Sequence, residues 1–358
     1  MPLHEWKRFA QRSRTRGLAA TWQAFTLRLA MLRHATPHKI TNFLLVKIQK
    51  RLRFDRVHGF PYRYKIDPTN ICTLHCPLCP TGRGLTTRAS GSIDESTYRD
   101  IIDQMAPHAL VLDLFGWGEP LNHPGLNQMI GYADKQGLFT RLSTTLEKPG
   151  WSGAEGLVAS GLDAIIVAAD GASQETYGHY RRGGNWDNVL ANVRSLVAAR
   201  LDAGRTTPHI TMRMLIHRHN EDQIAEVRRL THELGADAFT TGNIVVNTKD
   251  RGQIADWLPT DPDVNGYNQG LINRGSCEDL WESLVINWDG GVAPCCWIYG
   301  AEHDLGNVAT TSLDRLWNGP AFVAARRAVS RKPSLEGEPV VLCSSCAGHP
   351  DYLSDSKG

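Results

Sequence analysis

Two kinds of periodicity divide the chain. In the first 58 residues apolar side chains recur at helical spacing, at Leu18, Trp22, Phe25, Leu29 and Leu32, and again after Pro37 at Ile40, Phe43, Leu44, Ile48 and Leu52. These predict two amphipathic helices. From Tyr62 the pattern changes to short β-rich runs at 62–66, 109–115, 139–143, 164–169 and 209–215, separated by helix-like stretches at 94–105, 126–136, 154–160, 186–200 and 222–234. Strand and helix alternating at this spacing predict an α/β fold, a parallel sheet or barrel with catalytic groups at the carboxyl ends of the strands. A polar stretch over 242–276, containing Pro259 and Pro262, reads as a linker. The expected organisation is a helical arm over 1–58, a core over 59–241, the linker, a small cysteine-rich domain over 277–348 that needs metal for stability, and a tail over 349–358.

Charge sharpens this division. The 358 residues carry a formal net charge of only +2, yet residues 1–58 hold 13 Lys and Arg against Glu5 and Asp55, and the remainder is acidic. With 41% hydrophobic and 21% charged residues the chain is globular, neither disordered nor collagen-like. The apolar stretch at 17–27 is broken by polar residues and followed by more arginines, unlike a secretory signal, and no run of about 18 uncharged apolar residues predicts a membrane span. The expected location is the cytoplasm. The arm has two readings: its apolar stripes cap the next domain, or they dock on an anionic membrane or acidic partner, giving peripheral attachment through 1–58. Trp6, Phe9, Trp22 and Phe25 sit at helix spacing, where aromatic side chains pack rather than stack on bases, so nucleic acid is not the expected partner.

The candidate chemistry lies in the eight cysteines. Cys72, Cys76 and Cys79 follow the first strand with spacing C-x3-C-x2-C, and none follows until Cys277. Three thiolates in one loop can hold an iron-sulfur cube with one iron left open for a substrate or cofactor. A structural zinc site would need a fourth ligand, and His75 would have to turn back on the metal from inside the loop.

These three cysteines resemble the signature of the radical S-adenosylmethionine (SAM) superfamily. A second element supports the resemblance: Phe115-Gly116-Trp117-Gly118-Glu119-Pro120 is similar to that family's Gly-Gly-Glu-Pro motif, with Trp117 in place of the first glycine. A glycine-rich strand end lets backbone carbonyls approach a ligand's ammonium group. The resemblance implies that this segment binds the methionine amine of SAM, and that Leu78 takes the place of the usual aromatic against adenine. Ser143, and Asp170 in the run that leads to Tyr180-Arg-Arg-Gly-Gly184, fall at strand ends, where the SAM carboxylate and ribose are expected; helix capping explains either equally well.

The remaining cysteines are Cys277, Cys295, Cys296, Cys343 and Cys346. Ile286 to Pro294, with Asp-Gly-Gly at its centre, reads as a β-hairpin. The spacing resembles the twitch domain, the shortened form of the SPASM domain that holds one auxiliary [4Fe-4S] cluster. Cys277, Cys295, Cys343 and Cys346 are the expected ligands; zinc in the same thiolates stays open on chemistry alone, as does exchange of Cys295 for Cys296. No further cysteine follows Cys346 in this sequence, so one auxiliary cluster is expected.

Together these resemblances imply a partial (β/α)6 barrel. They imply two [4Fe-4S] clusters, SAM, a reducing partner such as flavodoxin or ferredoxin, and hydrogen abstraction by a 5′-deoxyadenosyl radical. The expected reaction is a two-electron oxidation of a small molecule, a sugar, cyclitol or glycoside in preference to a peptide, with the auxiliary cluster accepting an electron. Alternatives are epimerisation of a sugar or peptide residue, with Cys296 as the catalytic hydrogen-atom donor, and a non-catalytic zinc protein whose basic arm binds nucleic acid.

Overall fold

The computed structural model describes residues 32–85, 87–244, 251–265, 277 and 279–346. The arm before Leu32, parts of the expected linker and the tail from 347 onward lie outside the described residues.

After an opening helix, α1 (Pro37–Arg51), six strands run in parallel and in sequence order: β1 (Arg63–Ile66), β2 (Val111–Leu114), β3 (Phe139–Thr144), β4 (Ala164–Ala168), β5 (His209–Ile216) and β6 (Ala238–Asn243). Between them lie α2 (Glu95–Met105), α3 (Leu126–Lys135), α4 (Ala154–Ala159), α5 (Gln174–Tyr180), α6 (Trp186–Asp202) and α7 (Ile224–Glu233). The starts are written in the sequence: Asp94, Ser173 and Asn185 accept hydrogen bonds from backbone N–H groups in the first turns of α2, α5 and α6. Two expectations are corrected. The core does not end at 241, because β6 runs to Asn243, and the presumed linker contains α8 (Arg251–Trp257).

Alternation along the strands separates a dry face from a polar one. Tyr64, Ile66, Leu112, Leu114, Leu142, Ile165, Val167, Met212 and Met214 are buried in the main core. The opposite face forms the barrel lumen, where register sets Lys65 beside Asp113 and Asp113 beside Arg141. Asp113 accepts a bidentate pair from Arg141 at 2.7 and 2.8 Å. Below this charged layer Val111, Phe139 and Ala164 form a small apolar plug.

The cysteine-rich region is built onto the barrel. After α9 (Asp279–Glu282), β7 (Ser283–Ile286) pairs in parallel with β1, and β8 (Val292–Ala293) returns antiparallel to it. The expected hairpin is therefore present, and Gly290 turns it with φ +80°, a left-handed conformation suited to glycine. Two further helices, α10 (Leu313–Trp317) and α11 (Pro320–Val329), complete the unit. Arg88, in the loop beyond the first cysteines, reaches across: its side chain, 1% exposed, pairs with Asp289 at 2.6 Å and Asp304 at 2.5 Å. Replacing Arg88 by Met leaves two carboxylates facing each other. Because Asp289 is 31% exposed, the expected loss is about 3 kcal/mol, near the lower end for breaking a buried pair. Thermal unfolding of the cluster-loaded protein checks this.

The second stripe of the arm is reversed from the domain-capping reading. In α1 the residues against the barrel are Lys39, Asn42, Val46 and Gln49, while Ile40, Leu44 and Ile48, with Leu52 just beyond, are 45%, 55%, 56% and 59% exposed. The reason lies in the surface beneath. The loops entering the sheet present backbone groups that the strands leave unpaired, and polar side chains satisfy them. Lys39 Nζ donates to the Gly137 carbonyl at 2.6 Å, Asn42 bonds both the N–H and the carbonyl of Phe60 at 2.9 Å, and Gln49 Oε1 accepts from Gly59 N–H at 3.0 Å.

Candidate functional site

The first cysteine loop leaves the carboxyl end of β1 and is held from below. Asn70 bonds the Gly91 N–H at 2.9 Å and the Ala89 carbonyl at 2.8 Å, and Thr69 Oγ1 donates to the Gly91 carbonyl. Cys76 is buried, Cys72 and Cys79 are half-buried, and His75 between them is exposed. Burial lifts the Cys72 thiol to about 11, and the neighbouring Glu119, Cys76 and Cys79 add to the rise. Burial also raises Cys76, opposed by Arg181, whose Nη1 lies 3.8 Å from its sulfur. Such thiols stay protonated until a metal displaces the proton. The Leu74 N–H, 3.5 Å from Cys72 Sγ, and the Arg181 guanidinium are placed to stabilise the sulfur once charged.

The loop after β2 packs directly on this one. A Cβ on Gly118 would lie 2.0 Å from the Thr69 carbonyl oxygen, so only glycine lets the two backbones meet. Glu119, 8% exposed, does not face solvent. Its Oε1 accepts from Thr144 Oγ1 at 2.5 Å, and its Oε2 accepts from the N–H and hydroxyl of Thr145 at 2.8 and 2.7 Å, tying β2 to the end of β3. Pro120 is buried behind it, and Ser143 is half-buried one residue before this clamp. The Trp117 ring meets Tyr299 of the cysteine-rich region edge-on at 5.0 Å.

Sequence reasoning missed Asp67, which follows β1. Oδ2 accepts from the Trp117 N–H at 3.1 Å, Oδ1 is buried without a partner, and burial lifts the carboxyl to about 7. A raised carboxyl favours folding in its protonated form, so its contribution is lost as pH rises from the usual carboxylate range through about 7. Asp67→Asn is therefore expected to flatten the decline of melting temperature between about pH 4 and about pH 7. An unchanged slope would assign the decline to other groups.

Asp170 is engaged entirely by the protein. It is 0% exposed; Oδ2 accepts from Arg181 Nε and Oδ1 from the Leu215 N–H, both at 2.6 Å. Its carboxylate orients Arg181. Both residues stand in the 170–184 run; what the sequence does not reveal is that they pair across 11 positions.

At the end of β5 sits His217, also missed. It is 0% exposed, and burial, with His219, His179 and Arg181 nearby, lowers it to about 3, so the ring is neutral. Nδ1 accepts from the His219 N–H at 3.2 Å, which leaves the proton on Nε2, a buried donor without a partner. Around it Tyr180, Ile244 and Trp257 form an apolar cluster that includes Leu78.

The second set of cysteines gathers beyond β8. Cys277 and Cys343 pack against the main core, and Cys346 is exposed. Burial lifts Cys343 to about 12, with Cys277 and Cys346 as charged neighbours, and raises Cys295, whose neighbours include Cys296 and Cys343. Burial raises Cys296 too, and the charged groups within reach of it are Lys65, Asp279 and Arg63. Among the described residues no three His, Cys, Asp or Glu side chains converge on a point one ion could share. The donor chemistry of both sets, several thiols each, fits iron-sulfur cubes, which take their thiolates at separate corners.

Comparison with known proteins agrees with this geometry. The radical SAM superfamily matches residues 66–231, and an iron-sulfur cluster-binding domain, SPASM, matches 277–347. The chain is 30% identical over 171 residues to a PqqA peptide cyclase of Gluconobacter oxydans, covering 47% of this chain and 45% of that protein. It is 24% identical over 294 residues to the tungsten-containing aldehyde ferredoxin oxidoreductase cofactor-modifying protein of Pyrococcus furiosus, covering 72% and 81%. The chain thus spans about half the length of the peptide cyclases it matches. In fold it is similar to Streptococcus suis SuiB bound to S-adenosylmethionine, with TM-score 0.59 and 16% identity over 75% of this chain and 68% of that one. With both cysteine sets placed and both regions matched, the chain belongs to the radical SAM superfamily, carries a C-terminal SPASM-type domain, and takes SAM and two [4Fe-4S] clusters as its cofactors.

Proposed function

We propose that this enzyme is a radical SAM oxidoreductase that removes two electrons from an acidic, peptide-type substrate, with the auxiliary cluster accepting one of them. The observation that carries this is that Cys296 follows β8, which pairs with β7 beside β1, within electrostatic reach of Lys65 and Arg63 of β1.

Cys72, Cys76 and Cys79 hold the first cluster, with Arg181 compensating charge at Cys76. When bound, that cluster supplies the electron that splits SAM into methionine and the 5′-deoxyadenosyl radical, which takes a hydrogen atom from the substrate. The backbone of 116–120 receives the methionine amine, with Glu119 fixing the loop, and Ser143 lies toward the carboxylate. Leu78, Tyr180 and Trp257 would wall the adenine, with His217 Nε2 the unpartnered donor behind them. Arg63, Lys65, Arg141 and Arg213 against Asp113 give the inward strand positions a cationic excess, which suits a carboxylate on the substrate. Cys277, Cys295, Cys343 and Cys346 close the second cluster. The balance is one hydrogen atom to 5′-deoxyadenosine, one electron to the auxiliary cluster and one proton to solvent; a ferredoxin or flavodoxin resupplies the first electron.

The peptide class rests on the similarity to PqqA peptide cyclases and replaces the sugar or cyclitol alcohol expected earlier. Cys296 also supports a second reading, epimerisation, because a thiol within reach of the β1 cations can return a hydrogen atom. The test is anaerobic reconstitution followed by iron counting and a dithionite-driven assay for 5′-deoxyadenosine. About eight irons per chain with SAM cleavage supports the proposal, and about four irons removes the auxiliary cluster from it.

A further inference from the structure

We infer that the outward face of α1 is a docking surface for anionic phospholipid. The stripe Ile40, Leu44, Ile48 and Leu52 lies opposite the helix face that packs on the barrel, and Leu32 at 61% and Phe54 at 40% exposure extend it at both ends. A contiguous exposed apolar row on a helix with a polar, hydrogen-bonded inner face is the inverse of a core-facing helix.

The charge around the row selects its occupant. Arg33, Arg51 and Arg56 are exposed beside it. At the start of α1 a cavity of about 440 Å³ is lined by Arg33, His34, Thr36 and Lys39, with Asp103 as its acid, a size and charge suited to a phosphate headgroup. The sequence before Leu32 is basic too, with Lys7, Arg8, Arg12, Arg14, Arg16 and Arg28 against Glu5. Two like-charged segments repel one another, and so would two copies of this face; both are attracted to an anionic bilayer. Apolar side chains at the acyl boundary with basic ones at headgroup level is how interfacial helices bind.

Geometry gives the attachment a direction. The partners of α1 (Phe60, His108 and Gly137) all precede β1, β2 or β3, so the helix lies under the amino ends of the strands. A membrane there leaves the carboxyl ends, with the first cysteine loop after β1, facing away from the lipid.

The test is sedimentation of the full chain, cluster-loaded, with vesicles of phosphatidylcholine alone or mixed with phosphatidylglycerol. Wild type is expected to sediment only with the mixed vesicles, and the triple variant Ile40→Ser, Leu44→Ser, Ile48→Ser to bind about ten-fold or more weakly with iron content and melting temperature unchanged. Arg33→Glu with Arg51→Glu is expected to weaken binding similarly, and high salt to reverse it. Wild type remaining in the supernatant overturns the proposal, as does a triple variant that sediments like wild type. A dimer by light scattering that the serine variant dissociates, without vesicle binding, assigns the face to a second copy and overturns it equally.

Discussion

Cys76→Ala is expected to lower bound iron from about eight to about four per chain and to bring 5′-deoxyadenosine formation below detection. A three-thiolate site has no spare protein ligand, so losing one sulfur leaves two, too few to retain a cube. Cys76 is also the most enclosed of the three, at 5% exposure, and its backbone is tightly packed: a Cβ on Gly82 would lie 2.5 Å from its nitrogen. Alanine is small enough to leave the loop folded. The four irons that stay behind report that the auxiliary region is intact and separate loss of a ligand from loss of the fold. A variant that keeps all its iron and still cleaves SAM would mean that this loop is not the SAM site.

The second large effect distinguishes two adjacent cysteines. Cys295 has Cys343 among its charged neighbours, while Cys296 meets Arg63 and Lys65. Cys295→Ala is therefore expected to lose about four irons, and Cys296→Ala to keep about eight. Activity then divides the two reactions. If the auxiliary cluster takes an electron, Cys296→Ala continues to turn over; if the thiol returns a hydrogen atom, that variant stops after one event per chain. Equal iron loss in both variants would show that the loop shares its ligands in some other way.

Much of this architecture could be read from residue order alone. The first five strands are where the β-rich runs place them, and the first cysteine loop follows β1. β6 escaped because Ala-Phe-Thr-Thr-Gly-Asn is half polar and lacks the apolar alternation of its neighbours. It lies at the sheet edge, where Gly242 makes room for Arg213: a Cβ there would be 2.6 Å from its Nη2. The orientation of α1 was illegible for a different reason. Periodicity identifies two faces of a helix but not which one is inward, and the usual assumption fails where the surface beneath offers unpaired backbone groups. Roles of carboxylates were the least legible. Glu119, Asp170 and Asp67 all occupy motif or strand-end positions, yet each is committed to protein partners contributed by other strands, which local sequence does not reveal.

Among the described residues the eight-stranded sheet has two margins, β6 and β8, that no further strand pairs. The first cysteine loop grows from β1, and Cys295 and Cys296 come directly after β8, so the electron wiring proposed here lies near one margin, stapled to it by β7 and Arg88. The other margin carries no cysteine. A lineage could therefore rebuild the β6 side to admit a different substrate while leaving the distance between its two redox centres untouched, which separates the evolution of selectivity from that of electron flow.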